Sequence, residues 1–231
     1  MTIGTTAPIL EVRGLNAYYG HAQALFDVSF EIARGEAVAL VGRNGAGKST
    51  TLKAIMALVD RRAGTLAFDG ADIRNQPTHH IARRGLGYVP EERRIFTDLT
   101  VAENLEVGRL PARGGRAPWT PARLFDIFPN LAEMAGRSAG RMSGGEQQML
   151  SIARTLMGNP DAILLDEPSE GLAPLIVEQM GHAIVTMKRE GIAILLSEQN
   201  LDFAATLVTR ALRIETGVIT FDGPLSQLLS D

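Results

Sequence analysis

The sequence predicts an α/β fold in which a mainly parallel sheet is combined with helices. A short apolar run, Ala37–Val41, leads through a glycine-rich loop into a helical stretch at 50–58. Two further apolar runs, at 161–165 and 192–196, are separated by a helical pattern at 175–188. Short buried strands that alternate with helices indicate a parallel sheet, because the crossover between two parallel strands is usually a helix.

Other segments predict further parts of the same domain. Strand-like runs suggest an antiparallel patch beside the parallel sheet, and they lie at 9–12, 24–32 and 64–68. From about residue 100 to 157 the pattern is helical, with a loop at 111–116. A chain of 231 residues that is 45% hydrophobic can bury one substantial core. We therefore interpret residues 1–231 as a single domain with an insertion.

The glycine-rich loop matches the phosphate-binding pattern G-x-x-x-x-G-K-[ST]. Its residues are Gly42, Arg43, Asn44, Gly45, Ala46, Gly47, Lys48 and Ser49, and Thr50 follows in the helix. Its glycines allow successive backbone N–H groups to converge on a phosphate, which a Cβ atom would hinder. Lys48 then supplies a charge for the β- and γ-phosphates, Ser49 a hydroxyl for Mg²⁺, and the helix its positive dipole end. A purely structural turn is the alternative, but the strand–loop–helix context favours phosphate binding.

Two acidic residues, Asp166 and Glu167, end the apolar run at 161–165 and are followed by Pro168. Beside a phosphate loop, Asp166 would hold Mg²⁺ through its water shell, and Glu167 would act as the general base toward the attacking water. An ordinary turn at the end of a strand also uses acids and proline. The catalytic interpretation therefore depends on the phosphate loop.

A third segment combines a helix cap with two glycines. Ser143 and Glu146 form an S-x-x-E capping box that opens a helix at 147–157. Gly144 and Gly145 stand in its first turn, where each costs a helix about 1 kcal/mol relative to alanine. We interpret them as a place where the backbone approaches a ligand closely, so that this helix start is a candidate anion site.

With this loop, Met142–Gln148, the chain resembles the ATP-binding cassette (ABC) family, whose signature loop has the same form. The resemblance spans nearly the whole chain. It implies a P-loop NTPase core of the RecA-like type, with an antiparallel β subdomain and a helical subdomain inserted at about 92–158. It also implies that Ser143, Gly144 and Gly145 close over the ATP held by a second chain, so that a dimer holds two ATPs at its interface.

The resemblance assigns further site residues. Tyr19 lies where an aromatic ring stacks on adenine, although a core or edge tyrosine is an alternative because a lone aromatic is weak evidence. Glu91 stands where most relatives have a glutamine that reaches Mg²⁺, and Ala173 stands where most have an aspartate. Gln199 replaces a histidine aimed at the γ-phosphate; it donates an amide hydrogen bond but carries no proton. The resulting catalytic set is Glu167, Gln199 and Glu91, and the metal set is Ser49, Asp166 and Glu91.

These departures from the common pattern together resemble one subfamily. Val89-Pro90-Glu91, Glu167-Pro168-Ser169 and Glu198-Gln199-Asn200 are similar to the smaller ATP-binding subunit of branched-chain amino-acid importers. The resemblance implies a paralogous ATP-binding chain, or a second copy, as the partner. It also implies membrane permease subunits and, indirectly, an extracytoplasmic substrate-binding protein.

A candidate surface for the permease follows the glutamate at position 91. The segment 92–99 contains the apolar residues Ile95, Phe96 and Leu99. We predict that this segment touches the membrane subunits. Packing within the domain is an equal alternative for each of these residues taken singly.

Composition argues against several classes of protein. The net charge is −3, whereas nucleic-acid binders need concentrated basic surface. The chain has no cysteine, and therefore no disulfide or cysteine-ligated metal. No apolar run approaches the ~20 residues needed to span a bilayer, and residues 1–8 lack the features of a signal peptide. We expect a peripheral protein at the cytoplasmic face of the membrane, and the end at Asp231 suggests a trimmed tail.

Three other functions stay open at this point. An ATPase for another transported substrate, such as urea taken up or lipid exported, would share all the site residues. A non-transport ABC protein acting in translation would normally carry two cassettes in one chain. A kinase would use the same phosphate loop but would not need the serine and glycines at 143–145.

Overall fold

The computed structural model describes residues 7–229. Its strands are β1 (Leu10–Tyr19), β2 (Ala22–Ile32), β3 (Ala37–Val41), β4 (Asp60–Arg62), β5 (Thr65–Phe68), β6 (Ala71–Asp72), β7 (Leu86–Val89), β8 (Ala162–Asp166), β9 (Ala193–Glu198), β10 (Arg210–Glu215) and β11 (Val218–Pro224). Its helices are α1 (Lys48–Ile55), α2 (Thr78–Arg83), α3 (Val101–Val107), α4 (Pro121–Ile127), α5 (Pro129–Glu133), α6 (Gly144–Leu156), α7 (Pro174–Arg189), α8 (Leu201–Leu207) and α9 (Leu225–Leu228), with a 3-10 helix at Ala139–Arg141. The expectations about the first six residues and about the end at Asp231 lie outside the described residues.

The larger sheet has the strand order β11-β10-β3-β9-β8-β7. All neighbouring pairs from β10 to β7 are parallel, and only β10 and β11 form an antiparallel hairpin. The strands β3, β8 and β9 are buried along their whole length, as expected for central strands with both faces covered. The predicted parallel sheet is therefore confirmed. The hairpin turns at Thr216 and Gly217, both with positive φ, as tight hairpins require.

The second sheet is antiparallel. Its order is β2-β1-β5-β6, and β4 pairs with β1 beside this path. The predicted strand at 9–12 is too short, because β1 continues to Tyr19 through several register shifts in its pairing with β2. The sequence did not predict β4 and β6, which have only three and two residues and carry no alternating pattern.

The helices α3 to α6 lie between β7 and β8 in the chain. Both α3 and α6 begin with a complete capping box, formed by Thr100 with Glu103 and by Ser143 with Glu146. The second of these confirms the cap predicted from the sequence, and the helix itself begins at Gly144 rather than at residue 147. The helix α6 packs against α3, α5, α7 and β7.

Two hydrophobic cores lie on opposite faces of the parallel sheet. Along β3, Ala37, Ala39 and Val41 point into one core, whereas Val38 and Leu40 point into the other. The first core takes in α6 and α7, and the second takes in α1 and the antiparallel sheet. This alternation places the sheet between the helical part and the antiparallel part of the chain.

Two arginine-containing segments make contacts within the domain. Arg61 is half-buried, and its guanidinium donates to the backbone carbonyls of Ile55 and Ile73. Arg93 and Arg94 both have positive φ, and their carbonyl oxygens accept hydrogen bonds from Ser151 and Arg154 of α6. The Arg94 side chain itself stays exposed.

Within residues 7–229, no helix combines the length and the apolar character that crossing a membrane requires.

Candidate functional site

The carboxyl ends of three neighbouring strands meet at one edge of the parallel sheet. The strand β9 lies between β3 and β8, and its last residue, Glu198, pairs with Val41 of β3. One residue earlier on β9, Ser197 pairs with Asp166 at the end of β8. The glycine-rich loop starts directly after Val41, so this register brings the loop, Asp166 and the end of β9 together. Ligands of open α/β sheets characteristically bind at such an edge.

The glycine-rich loop uses backbone conformations and space that favour glycine. Gly45 and Gly47 have φ of +80° and +115°. A Cβ atom on Gly47 would lie 2.9 Å from the side chain of Leu25, and one on Gly42 would collide with the carbonyl oxygen of Ile214. The helix α1 then begins at Lys48, two residues earlier than predicted, and has no side-chain cap. Its first N–H groups are therefore available to an anion.

Lys48 is held in place although it is only 3% exposed. Its Nζ donates to the carbonyl oxygens of Gly42 at 2.8 Å and Arg43 at 3.2 Å. It also forms an ion pair with Oε1 of Glu167 at 3.0 Å. The ammonium thus bridges the loop and the residue that follows Asp166.

Asp166 is fully buried and accepts hydrogen bonds from three hydroxyl groups. Ser49 donates to its Oδ1 at 2.9 Å, Ser197 donates to the same oxygen at 3.1 Å, and Tyr88 donates to Oδ2 at 3.2 Å. Burial raises the pKa of Asp166, and these hydrogen bonds offset the rise only in part. Burial and the charge of Asp166 raise the pKa of Tyr88, so this phenol stays protonated and remains a donor.

Tyr88 and Ser197 were missed in the sequence. Both are polar residues near the carboxyl ends of apolar strands, β7 and β9, which flank β8. Once the strand order is known, their position at the same edge as Asp166 follows. That order was not available from one sequence, because it depends on pairing between distant segments.

Glu167 has an unusual backbone and two charged neighbours. Its φ of +44° lies in the left-handed region, which is uncommon for a residue with a long side chain. Burial alone would raise the pKa of Glu167, but hydrogen bonds from Glu170 and Lys48 outweigh it and lower that pKa overall. The shared hydrogen bond and the charge of Glu167 raise the pKa of the exposed Glu170 to about 7.

Glu91 faces the same group of carboxylates. It lines a cavity of about 230 Å³ together with Arg93, Gln148, Glu167 and Glu170. Burial and the charges of Glu167 and Asp166 raise the pKa of Glu91. The structure thus brings Glu91 near both acids, although no hydrogen bond within the described residues joins it to either.

Two more predicted residues lie beside the glycine-rich loop. Gln199 is exposed and lines a cavity of about 580 Å³ together with Gly42–Ala46. Tyr19 is 51% exposed, and its hydroxyl lies 3.4 Å from that of Thr50 in α1. An exposed ring next to the start of α1 offers an apolar face at the rim of the loop.

Ser143, Gly144 and Gly145 lie at the start of α6. Within residues 7–229, no hydrogen bond or ion pair joins them to Lys48 or Asp166; Ser143 instead accepts the N–H of Glu146 at 3.4 Å. The glycines also have a packing reason that the sequence interpretation missed. A Cβ atom would lie 2.8 Å from Nη1 of Arg93 at position 144, and 2.9 Å from Cγ2 of Ile176 at position 145.

The donor groups at the sheet edge suit a hard cation that is shared with a phosphate ligand. No group of three or more acidic, histidine or cysteine side chains among residues 7–229 is arranged to hold a metal ion by itself. The adjacent hydroxyl of Ser49 and carboxylate of Asp166 are oxygen donors of the kind that Mg²⁺ prefers. Because Mg²⁺ usually binds through one or two protein groups plus substrate phosphates, these residues fit it.

Comparison with known proteins gives the family. Residues 25–170 match the family model of the ABC transporter. The chain is 42% identical over 217 residues to the high-affinity branched-chain amino acid transport ATP-binding protein BraG of Pseudomonas aeruginosa, covering 94% of this chain and 93% of the relative. It is 34% identical over 227 residues to the lipopolysaccharide export system ATP-binding protein LptB of Haemophilus influenzae, covering 96% and 93%.

Solved structures agree with the fold. A nucleotide-free ATP-binding cassette from an ABC transporter superposes with a TM-score of 0.82 at 27% identity, covering 97% of this chain and 96% of that one. The ADP conformation of MJ1267, another such cassette, superposes with a TM-score of 0.80 at 27% identity, covering 98% and 96%. These likenesses confirm the predicted P-loop core with its parallel and antiparallel sheets. The chain belongs to the ABC transporter family and is an ATPase that couples ATP hydrolysis to transport.

Proposed function

We propose that this chain is the ATP-hydrolysing subunit of an importer for branched-chain amino acids. The observation that carries the substrate class is the 42% identity, over 94% of the chain, to the branched-chain amino acid transport protein of Pseudomonas aeruginosa. An ATP-binding subunit of this kind does not itself touch the transported molecule. The substrate class is therefore inferred from likeness, whereas the nucleotide chemistry is argued from the site.

In this proposal the glycine-rich loop, Gly42–Thr50, holds the phosphates. The loop N–H groups and the start of α1 bind the anion, and Lys48 contributes its charge. Lys48 is now paired with Glu167 at 3.0 Å, so a bound phosphate competes for the ammonium. When the phosphate replaces Glu167 as the partner of Lys48, the Glu167 carboxylate is free next to the reacting phosphate. Tyr19, which is exposed beside Thr50, stacks on the adenine.

Glu167 is the proposed general base, and it takes a proton from the attacking water. Its lowered pKa keeps it ionised near neutral pH, which a base requires. Ser49 and Asp166 would hold Mg²⁺, and the ion would neutralise charge that develops on the phosphates. Glu91, which lines the cavity beside Glu167, is the third candidate ligand. Gln199, at the rim of the loop, donates an amide hydrogen bond to the γ-phosphate.

The proposed working unit is a pair of ATP-binding chains on a membrane permease. The start of α6, with Ser143, Gly144 and Gly145, closes over the nucleotide held by the partner chain. The support for this arrangement is that Met142–Gln148 has the form of the signature loop of the family to which the chain belongs. A paralogous ATP-binding chain and a second copy of this chain are equally suitable as the partner in this pair.

The helical part at 92–158 is proposed to act as one subdomain that contacts the permease. Phe96 is 48% exposed, as an apolar contact residue would be. Ile95 instead packs against the hydrophobic core, so the alternative of internal packing applies to it. The whole protein would then lie at the cytoplasmic face of the membrane, with an extracytoplasmic binding protein on the other side.

The test is reconstitution. The full-length chain is copurified from solubilised membranes with its permease subunits and inserted into liposomes with the binding protein. We expect ATP-dependent uptake of radiolabelled leucine, and none when the chain carries Glu167→Gln.

The similarity to the lipopolysaccharide export protein of Haemophilus influenzae makes lipid export the second candidate. Copurification with lipopolysaccharide transport subunits, and no leucine uptake, would replace the first proposal by the second.

A further inference from the structure

Glu198 is a buried carboxylate at the carboxyl end of β9. It is 2% exposed and lies on the strand between β3 and β8. An ionised carboxylate is costly to bury unless its charge is compensated. Within residues 7–229 the compensation comes from hydrogen bonds: the carboxylate accepts from the backbone N–H and hydroxyl of Ser169 and from the backbone N–H of Asn200. These hydrogen bonds attach the carboxylate of Glu198 to two other residues, Ser169 and Asn200.

Through Ser169, Glu198 is attached to the segment that carries Glu167. The N–H of Ser169 donates to Oε1 of Glu198 at 3.2 Å. The N–H of Glu167 donates to the carbonyl oxygen of Ser197 at 3.1 Å. The short segment 167–169 is therefore tied to the end of β9 at both of its ends, once by backbone and once by the Glu198 side chain.

The backbone of Glu167 needs such a restraint. Its φ of +44° is a strained conformation for a non-glycine residue and persists only where the surroundings enforce it. Relaxation of this torsion would turn the carboxylate of Glu167 away from Lys48, which lies 3.0 Å from it. The tie from Ser169 to Glu198 opposes that relaxation on the C-terminal side of Glu167.

The same carboxylate holds the start of the next segment. It accepts the N–H of Asn200, whose own side chain caps α8 by accepting the N–H of Phe203 at 3.0 Å. Gln199 stands between Glu198 and Asn200 and is exposed beside the glycine-rich loop. One buried side chain thus connects the two segments that carry Glu167 and Gln199.

We propose that Glu198 is a positioning residue for ATP hydrolysis: by holding Ser169, it keeps Glu167 in the strained conformation from which Glu167 acts as the base. The inference rests on the proposed role of Glu167. In this proposal Glu198 acts on Glu167 through Ser169 and is not itself a nucleotide-binding residue. Replacing Glu198 should therefore displace the base, whereas replacing Glu167 or Asp166 would remove the base or a metal ligand itself.

The first test compares Glu198→Gln and Glu198→Met with the unaltered full-length chain. Gln keeps the shape but replaces one acceptor oxygen by an NH₂ group that cannot accept, and Met removes both acceptor oxygens. We expect kcat to fall about 10- to 100-fold, because small displacements of a catalytic group cost that much. We expect the KM for ATP to stay within about threefold, since within residues 7–229 the Glu198 side chain makes no hydrogen bond with the glycine-rich loop that binds the phosphates.

Asp161→Asn is the matched control. Asp161 is a partly buried carboxylate that precedes the opposite end of β8 and pairs with Arg116. Its loss perturbs the same sheet without reaching the segment 167–169, so kcat should be unchanged. Circular dichroism and the thermal midpoint establish that each variant is folded. If Glu198→Met does not fold, Glu198→Gln decides.

The second test places Glu198→Gln in a Glu167→Gln background and measures single turnovers with radiolabelled ATP. If Glu198 acts through Glu167, the second change lowers the residual rate by no more than about twofold, since effects through one group are not additive. The proposal would be overturned if Glu198→Gln lowered the single-turnover rate by as large a factor in the Glu167→Gln background as it does in the otherwise unaltered chain. A folded Glu198→Gln with normal kcat and only a lower thermal midpoint would also overturn it. Near-normal hydrolysis in Glu167→Gln alone would instead refute the proposed function.

Discussion

The buried ammonium of Lys48 lies 3.0 Å from the carboxylate of Glu167, so the lysine of the glycine-rich loop and the acid after Asp166 form one ion pair. A buried pair of this kind is costly to break from one side, because the remaining charge is left in a poorly solvating place. Binding of a phosphate to Lys48 would therefore release Glu167, the proposed base, from the ion pair.

Replacing Lys48 should weaken nucleotide binding. We expect Lys48→Ala to lower the affinity for ATP about 10- to 100-fold, as for the loss of a charged hydrogen-bond partner. Isothermal titration calorimetry measures this directly. Lys53→Ala is the control, because Lys53 lies on the same helix but pairs with the exposed Glu92 at 3.6 Å. Equal ATP affinity in Lys48→Ala and in the unaltered chain would contradict the assignment of the loop.

Removing the proposed base should stop hydrolysis while leaving binding intact. Glu167→Gln is expected to lower turnover by ~10²-fold or more, the range for a lost general base, and to favour an ATP-loaded pair of chains. Phosphate release and light scattering with ATP measure the two effects. Glu178→Gln, on the exposed side of α7, is the control and should hydrolyse ATP normally. Hydrolysis close to normal in Glu167→Gln would remove this residue from its role.

A bulky side chain at the start of α6 should block closure. Ser143→Arg is expected to bind ATP but to lose ATP-dependent association, which gel filtration in the Glu167→Gln background detects. The change also removes the Ser143 cap, which typically contributes about 1 kcal/mol to helix stability. Ser143→Ala loses the same cap without the bulk, so it separates the two effects. Association retained in Ser143→Arg would count against closure over this loop.

Tyr88→Phe tests the hydroxyl that sequence analysis missed. Tyr88 donates to Oδ2 of Asp166 at 3.2 Å, and that bond lowers the pKa of Asp166. Its removal should raise the pKa of Asp166 and lower the free energy of unfolding by about 1 kcal/mol, a typical net value for one hydrogen bond. Urea denaturation measures the second effect. No change in stability between the two proteins would show that the bond is not formed in solution.

The carboxyl pair of Glu167 and Glu170 should make stability depend on pH. The pKa of Glu170 is raised to about 7 in the folded chain, from 4.5. Between these values the folded state binds more protons than the unfolded state, so this group's contribution to stability falls as pH rises through that window and is constant above it. The free energy of unfolding of the unaltered chain minus that of Glu170→Gln should therefore decrease from pH 5 to pH 7.5. A difference that is flat or rises over this range would contradict the shared hydrogen bond.

Much of the fold was predictable because its signals are local. The strand β3 has the predicted bounds, since it is a short apolar run closed by glycine. The cap of α6 was predicted from the spacing of Ser143 and Glu146. By contrast, the short strand β4 has no pattern of its own and exists only through its pairing with β1. The contacts of Arg61, the middle residue of β4, are likewise not visible in a local pattern, because the carbonyl groups of Ile55 and Ile73 that accept its hydrogen bonds lie outside the strand.

The sequence alone determined the chemistry that this protein can perform. The loop Gly42–Ser49, the acids at 166 and 167, and the loop before α6 are local patterns, and each depends on backbone geometry that a few neighbouring residues specify. The tertiary structure decided which side chains share that chemistry. The order of β3, β9, β8 and β7 brings Tyr88, Ser197 and Glu198 to the site, because strand pairing joins residues far apart in the chain and no local pattern records it.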